Sequence, residues 1–246
     1  MELSEVQRNW DDLGQHDPLW AICTENDRHG NQWDPEEFFA TGREAVDEAV
    51  SDLLGVGIAL PPGGRALDFG CGFGRLTLAL AEHVHEVVGI DIAPSMIAGA
   101  EQHNSVGERV RYLLNDRDDL ATFDDASFDL VLSIIVLQHV ENRYKAAYLR
   151  EFVRVLRPGG AAYVTIPSHP NLRTPLGIGF AVLPNRVLNL YRRKRFGYDG
   201  LMELHGMRRE EVEAVVRAAG GDVVDVRPDD SVGPAWHTFR YVIARA

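Results

Sequence analysis

The stretch that most constrains this chain is a glycine-rich turn at the end of a short apolar run. Arg65–Phe69 is apolar and β-prone, and it leads into Gly70-Cys71-Gly72-Phe73-Gly74. Leu76, Leu80 and Ala81 then follow at helical spacing. A strand that enters a glycine-rich turn and leaves as a helix belongs to an open α/β sheet, where ligands sit beyond the C-terminal ends of the strands. Glycine lets the backbone turn sharply and lets a ligand approach with no Cβ in the way. The spacing argues against a dinucleotide loop, which has Gly-x-Gly-x-x-Gly and aims a helix N-terminus at a pyrophosphate. Here Asp68 stands two residues before Gly70, and the glycines alternate. A carboxylate at that point repels a pyrophosphate and suits a ligand carrying an ammonium group. The glycines alone also fit a tight turn with no ligand.

The rest of the chain repeats the strand-helix rhythm. Residues 87–90 form a second strand and 94–103 a second helix. Val110–Leu114 is a third strand and 128–134 a fourth. Ala147, Leu149, Phe152, Val153 and Leu156 have helical spacing. Arg157-Pro158-Gly159-Gly160 stops that helix, and 161–166 is a fifth strand. After Pro167 the rhythm breaks for about forty residues. It resumes with Val212, Val215, Val216 and Ala219 on one helix face, then two strands, 222–227 and 238–244, too close for a helix between them. The pattern predicts a Rossmann-like, doubly wound α/β sheet of seven strands, mostly parallel with an antiparallel C-terminal strand. Residues 1–35, with Trp10, Trp20 and Trp33, read as an irregular cap of short helices. Asp34-Pro35 starts a helix that runs to Leu54. We read 1–246 as one domain: a helical cap (1–60), a core (61–167), an inserted lid (168–209), and a last helix with the terminal strand pair (210–246).

Composition narrows the function. The 246 residues are 45% hydrophobic and 25% charged, as in an ordinary globular domain. A formal net charge of -12 disfavours a nucleic-acid partner. Cys23 and Cys71 give neither a disulfide framework nor zinc spacing, so no metal is expected. The start lacks the features of a signal peptide, and no apolar stretch is long enough to span a bilayer, so the expected compartment is the cytoplasm.

Asp91 gives the glycine loop its partner. It ends the second strand 23 residues after Asp68, where a carboxylate can accept two hydrogen bonds from a ribose diol. Ile92 can pack on an adenine face. Asp91 can also be read as a helix cap, although Ala93 and Ser95 intervene before the helix is established.

Four segments together resemble the class I S-adenosylmethionine-dependent methyltransferases. They are Leu67-Asp68-Phe69-Gly70-Cys71-Gly72-Phe73-Gly74-Arg75, Val88-Gly89-Ile90-Asp91-Ile92-Ala93-Pro94-Ser95-Met96-Ile97, Ser127-Phe128-Asp129-Leu130-Val131-Leu132-Ser133, and Leu156-Arg157-Pro158-Gly159-Gly160. The resemblance covers residues 65–166, and the terminal strand pair extends it. It implies S-adenosylmethionine as cofactor, with Asp68, Gly70, Gly72 and Gly74 at the methionine end, Asp91 at the ribose and Met96 lining the adenine pocket. Asn115-Asp116-Arg117 falls where the family often has Gly-Asp, with Asp116 at the adenine amino group, and Asn115 departs from that pattern. The resemblance also implies a carboxylate contact for Arg43, whose other reading is a surface arginine. Trp10-Asp11-Asp12-Leu13-Gly14 and Asp17-Pro18-Leu19-Trp20 are similar to bacterial methyltransferases of natural-product and glycan biosynthesis.

The loop after the fourth strand faces cofactor and acceptor. Ile134 and Ile135 read as pocket walls, and Gln138 as a contact to either ligand. His139 is the candidate general base, since histidine suits proton removal near neutral pH. Its other reading is a positioning residue. Trp20, His205 and His237 lie in segments that cap the pocket in such enzymes and are the candidate acceptor contacts. The expected activity is methyl transfer to a hydroxyl or amine of a small molecule. The alternative is a non-catalytic chain that binds or senses S-adenosylmethionine. A nicotinamide dehydrogenase disagrees with the glycine spacing.

Residues 168–209 hold eight basic and two acidic residues, against 17 and 35 elsewhere. Within them an apolar run, 176–191, precedes Arg192-Arg193-Lys194-Arg195. Such a lid fits a hydrophobic or anionic acceptor, a peripheral contact with an anionic membrane, or a solvated basic turn.

Overall fold

The computed structural model describes residues 2–25, 27–197 and 201–245, without the side chains of residues 186, 191, 192, 195 and 196. Of the charged residues in the expected lid, Arg186, Arg192, Arg195 and Asp199 therefore lie outside the described side chains. The strands are β1 (Arg65–Phe69), β2 (Glu86–Asp91), β3 (Val110–Leu114), β4 (Phe128–Ser133), β5 (Leu156–Pro170), β6 (Gly221–Asp229) and β7 (Trp236–Arg245). They form one sheet in the order β3-β2-β1-β4-β5-β7-β6. β1 to β5 are parallel, and β7 runs antiparallel to both β5 and β6. The Rossmann-like sheet with its antiparallel C-terminal strand is thus borne out. The strand order reverses between β1 and β4, the place where such sheets bind ligands.

The helices are α1 (Leu3–His16), α2 (Pro18–Ile22), α3 (Pro35–Gly55), α4 (Arg75–Leu80), α5 (Pro94–Gln102), α6 (Asn142–Val155), α7 (Pro175–Val182), α8 (Asn185–Phe196) and α9 (Arg209–Ala218). α3 starts as its sequence predicts: Pro35 occupies the first turn and Asp34 accepts from the Glu37 N–H at 3.0 Å. Both faces of the sheet are covered, so its central strands are apolar throughout. Leu67, Phe69 and Val131 pack with Leu149 and Phe152 of α6 and Val212 and Val216 of α9. Ala66, Leu130 and Leu132 pack on the other side with Val46 and Leu53 of α3 and Leu76 and Leu80 of α4. Each large side chain buried there contributes ~1.5–3 kcal/mol of transfer free energy.

Two boundaries differ from the sequence reading. β5 starts at Leu156, five residues before the expected strand. Phe128 pairs with Leu156 and Leu130 with Ala161, so residues 157–160 form an irregularity in the ladder. Gly159, at φ 80°, supplies the left-handed residue that this detour needs. β5 also continues to Pro170, because Ser168, His169 and Pro170 extend along β7 to Trp236. The N-terminal cap is less irregular than expected, with a 14-residue α1. Its remaining loop is fastened by the buried Asp17 carboxylate, which accepts from Gly30 N–H at 2.6 Å and Asn31 N–H at 3.0 Å.

Candidate functional site

The glycine loop hangs on the end of β2. The N–H groups of Gly70 and Cys71 both donate to the Ile90 carbonyl, at 2.8 and 2.9 Å. Gly72 N–H donates to Asp91 Oδ2 at 2.9 Å, and Ala93 N–H donates to Asp91 Oδ1 at 2.9 Å. Gly70 sits at φ 79°, and a Cβ there would overlap Val136, so the β1 end can approach the β4 loop only as glycine.

A cavity of about 880 Å³, counted out to its open mouth, lies over this loop. Its floor comes from the β1 end (Phe69, Gly70, Gly72), the β2 end (Asp91, Ile92) and the β4 end (Ile134, Ile135). Met96 and Asn115 line one end. Leu3, Val6 and Trp10 of α1 form a roof, closed on the far side by His139, Val140 and Tyr148. The lining is largely apolar, with few polar groups, as in small-molecule sites.

Two polar residues at this end of the sheet have unspent capacity. Arg75 lines the cavity and is buried, with Nη1 donating to Thr41 Oγ1 at 3.1 Å and its Nε without a partner. Asp68 is buried behind the loop, where Oδ2 accepts from Thr77 Oγ1 at 2.6 Å and Oδ1 has no partner. Burial pushes the Asp68 carboxyl up to about 7, against the lowering effects of Thr77 and Arg75. Burial also raises the Asp91 carboxyl, opposed by its hydrogen bonds from Ala93 and Gly72.

His139 closes a 3-10 turn, Leu137–His139, after β4. Its Nδ1 lies 2.9 Å from the Glu203 carbonyl oxygen, an acceptor only, so Nδ1 carries the proton in the neutral ring. Nε2 then presents a lone pair, and the Gln138 side-chain amide lies 3.2 Å from it. Trp10 meets the imidazole edge-on, with ring centroids 4.8 Å apart. The segment that supplies Glu203 is itself anchored. His205 N–H donates to the Gln138 carbonyl at 2.7 Å, and the buried Lys145 Nζ donates to the His205 carbonyl at 2.7 Å. Burial lowers the Lys145 ammonium to about 7. The Glu203 carboxylate accepts from Asn185 Nδ2 at 3.1 Å and Asn189 Nδ2 at 2.6 Å, which ties α8 to the same segment.

The structure brings Gly70, Gly72, Asp91, Ile92, Met96, Asn115, Ile134 and His139 together at the cavity. Gln138 borders it through His139. Gly74 lies outside the lining and packs on Tyr112. Arg43 is exposed and lines a second depression with Glu82, His103 and Arg109, which Arg75 also borders. Arg75, which the sequence reading passed over, stands in the cavity instead. Asp116 and Arg117 are exposed, and Arg117 forms a two-point pair with Asp119 at 2.8 and 2.9 Å. Trp20 is buried with Trp33 and Phe38 in the cap and donates to the Glu25 carbonyl at 2.9 Å. His205 is outside the cavity lining and donates its N–H to the Gln138 carbonyl, and His237 is exposed on β7 beside His169. Among the described residues no cluster of three or more potential metal ligands occurs.

Residues 67–164 match the family described as Methyltransferase domain. A ubiquinone biosynthesis O-methyltransferase of Xanthomonas campestris is 33% identical over 140 residues, 56% of each chain. The chain thus spans just over half the length of that relative. The fold is similar to that of magnesium protoporphyrin IX methyltransferase from Synechocystis (TM-score 0.66, 17% identity, 99% of both chains). It is also similar to a [4+2]-cyclase (TM-score 0.57, 19% identity, 82% of this chain and 81% of the other).

Proposed function

We propose that this chain is a class I S-adenosylmethionine-dependent methyltransferase and that it methylates an oxygen of a small, largely apolar acceptor held against His139. The observation that carries this reading is the hydrogen bonding of His139. Its Nδ1 is committed to a backbone carbonyl, so Nε2 is the basic atom. The O-methyltransferase named above supports oxygen as the acceptor atom.

The residues present fit the cofactor. The orphaned Arg75 Nε suits a carboxylate, and the orphaned Asp68 Oδ1 suits an ammonium. The half-buried Asp91 carboxylate stands at the β2 end for a ribose diol, with Ile92, Met96 and Asn115 around the place of an adenine. When bound, S-adenosylmethionine supplies a methyl group activated on a sulfonium. The chain then has to align the acceptor oxygen and exclude water, and α1 serves both ends through Leu3, Val6 and Trp10. An acceptor hydroxyl takes the place of the Gln138 amide at Nε2 and passes its proton there.

Asp91→Ala removes the ribose acceptor, the Gly72 support of the glycine loop and the Ala93 bond that starts the turn into α5. We expect cofactor affinity to fall roughly 10- to 150-fold, the loss of charge-assisted hydrogen bonds worth about 1.5–3 kcal/mol. Calorimetric titration with S-adenosylhomocysteine checks this, and unchanged affinity would remove Asp91 from the site. The activity itself is tested by incubating the protein with methyl-labelled cofactor and a panel of hydroxylated aromatic acceptors. Label in an acceptor oxygen is the expected result. Tight cofactor binding with no transfer to any hydroxyl or amine acceptor would favour the non-catalytic alternative.

A further inference from the structure

We propose that α7, together with the exposed side of α8, docks this protein on the surface of an anionic lipid bilayer. The proposal stands apart from the transfer chemistry, since its readout is vesicle binding alone.

Every residue of α7 is apolar. A helix without a polar face belongs in a core or in lipid. α7 is in no core: Leu176, Ile178 and Val182 are 58%, 47% and 69% exposed. Phe180 alone among its large side chains makes a ring contact, with Trp236. Val187 and Leu190 of α8 continue the surface, and Leu172 and Leu183 flank α7. Seven of the eleven exposed large hydrophobic side chains among the described residues fall in this one stretch of 19 positions, 172–190.

Charge selects the occupant. Arg193 and Lys194 lie one turn beyond Leu190 and are exposed, as is Arg173. Residues 168–209 carry a net charge of +6 in a chain of net -12. A second copy docked face to face would set two such positive lids against each other, which opposes a symmetric pair. A soluble acidic partner would meet the cations and leave the apolar side chains without a matching surface. An anionic bilayer satisfies both, with apolar side chains below the headgroups and cations among them. α7 has eight residues, too short to cross, and among the described residues no helix is long and apolar enough to span a membrane. The surface also bears on the cavity. Asn185 and Asn189 of α8 hold the Glu203 carboxylate, and the Glu203 carbonyl holds His139.

The test is co-sedimentation with vesicles of phosphatidylcholine alone and of phosphatidylcholine with phosphatidylglycerol in equal parts. We expect binding to the anionic vesicles only, weakened by added salt. Arg193→Ser with Lys194→Ser should lower partitioning roughly 30-fold. Leu176→Gln with Leu190→Gln should abolish it. These four side chains are exposed, so S-adenosylhomocysteine affinity should stay unchanged and report intact folding. Equal binding to both vesicle types, binding to neither, equal binding by all variants, or self-association without vesicle binding would each overturn the proposal.

Discussion

His139→Ala is expected to lower turnover ~10²–10⁴-fold while cofactor affinity stays near that of the wild type. The magnitude is that of losing a positioned general base. The specificity of the prediction comes from the ring's partners. His139 Nδ1 is held by the Glu203 carbonyl at 2.9 Å, so the ring cannot turn without giving up that bond. Trp10 blocks one side of the imidazole, and the Gln138 amide sits at Nε2. His139→Gln separates the base role from a positioning role. Glutamine can keep a donor near the Glu203 carbonyl and provides no basic nitrogen. If His139 is the base, the glutamine variant is as slow as the alanine variant with a hydroxyl acceptor. Recovery of turnover in the glutamine variant would make His139 a positioning residue. With an amine acceptor the proton can leave to water, and the same substitution should then cost little. Single-turnover measurements at saturating cofactor report the chemical step directly.

The parts of this site that were legible in the sequence are those fixed by local patterning. The glycine loop announces itself because Gly70, Gly72 and Gly74 combine positive φ with neighbours, Val136, Ile22 and Tyr112, that a Cβ would overlap. Asp91 is readable because it ends an apolar strand at the expected interval. Arg43 shows where local reading stops. Gly42 faces inward, close enough that a Cβ would overlap Arg75, and the next residue along a helix points about 100° away. Arg43 therefore faces outward, and the cavity receives Arg75 instead. Arg75 follows the last glycine directly, so its position was visible, while its orientation depends on α3 packing over α4. Two signals were present and unused. Leu3, Val6 and Trp10 have the i, i+3, i+7 spacing of a helix face and form the roof. Lys145, Leu149 and Phe152 share an i, i+4, i+7 stripe, which placed an ammonium on the buried face of α6. Glu203 carried no signal. It lies in an irregular segment, and its role exists only because α8 and the β4 loop meet it, while Lys145 of α6 holds the same segment at the His205 carbonyl.

Asp68 gives the second large effect, a loss of stability as pH rises from about 4 to about 7. Its carboxyl is buried and held at about 7, chiefly by desolvation, with Asp91 adding to the rise and Thr77 and Arg75 opposing it. In the unfolded chain the same group titrates near 4. Below pH 4 it is protonated in both states, and the folded protein keeps its full stability. Between those values the unfolded chain releases the proton and the folded one retains it, so stability declines with rising pH. The total is about 4 kcal/mol, reached above the folded value. Lys145 acts in a different window and with the opposite sign. Its ammonium is lowered to about 7, so its contribution recovers as pH rises from there toward the ordinary lysine value. Asp68→Asn isolates the first group, because the amide oxygen can still accept from Thr77 Oγ1 and does not titrate. Urea unfolding from pH 4 to pH 8 should show a wild-type loss that the variant lacks, and parallel curves would refute the assignment. Cofactor binding reverses the same term. An ammonium placed at the orphaned Asp68 Oδ1 favours the ionised carboxylate, so S-adenosylhomocysteine should release a proton on binding near pH 6.5. Binding enthalpies measured in buffers of different ionisation enthalpy report that proton. Its absence in wild type, with binding intact, would place the ammonium elsewhere, and its persistence in Asp68→Asn would assign the proton to another group.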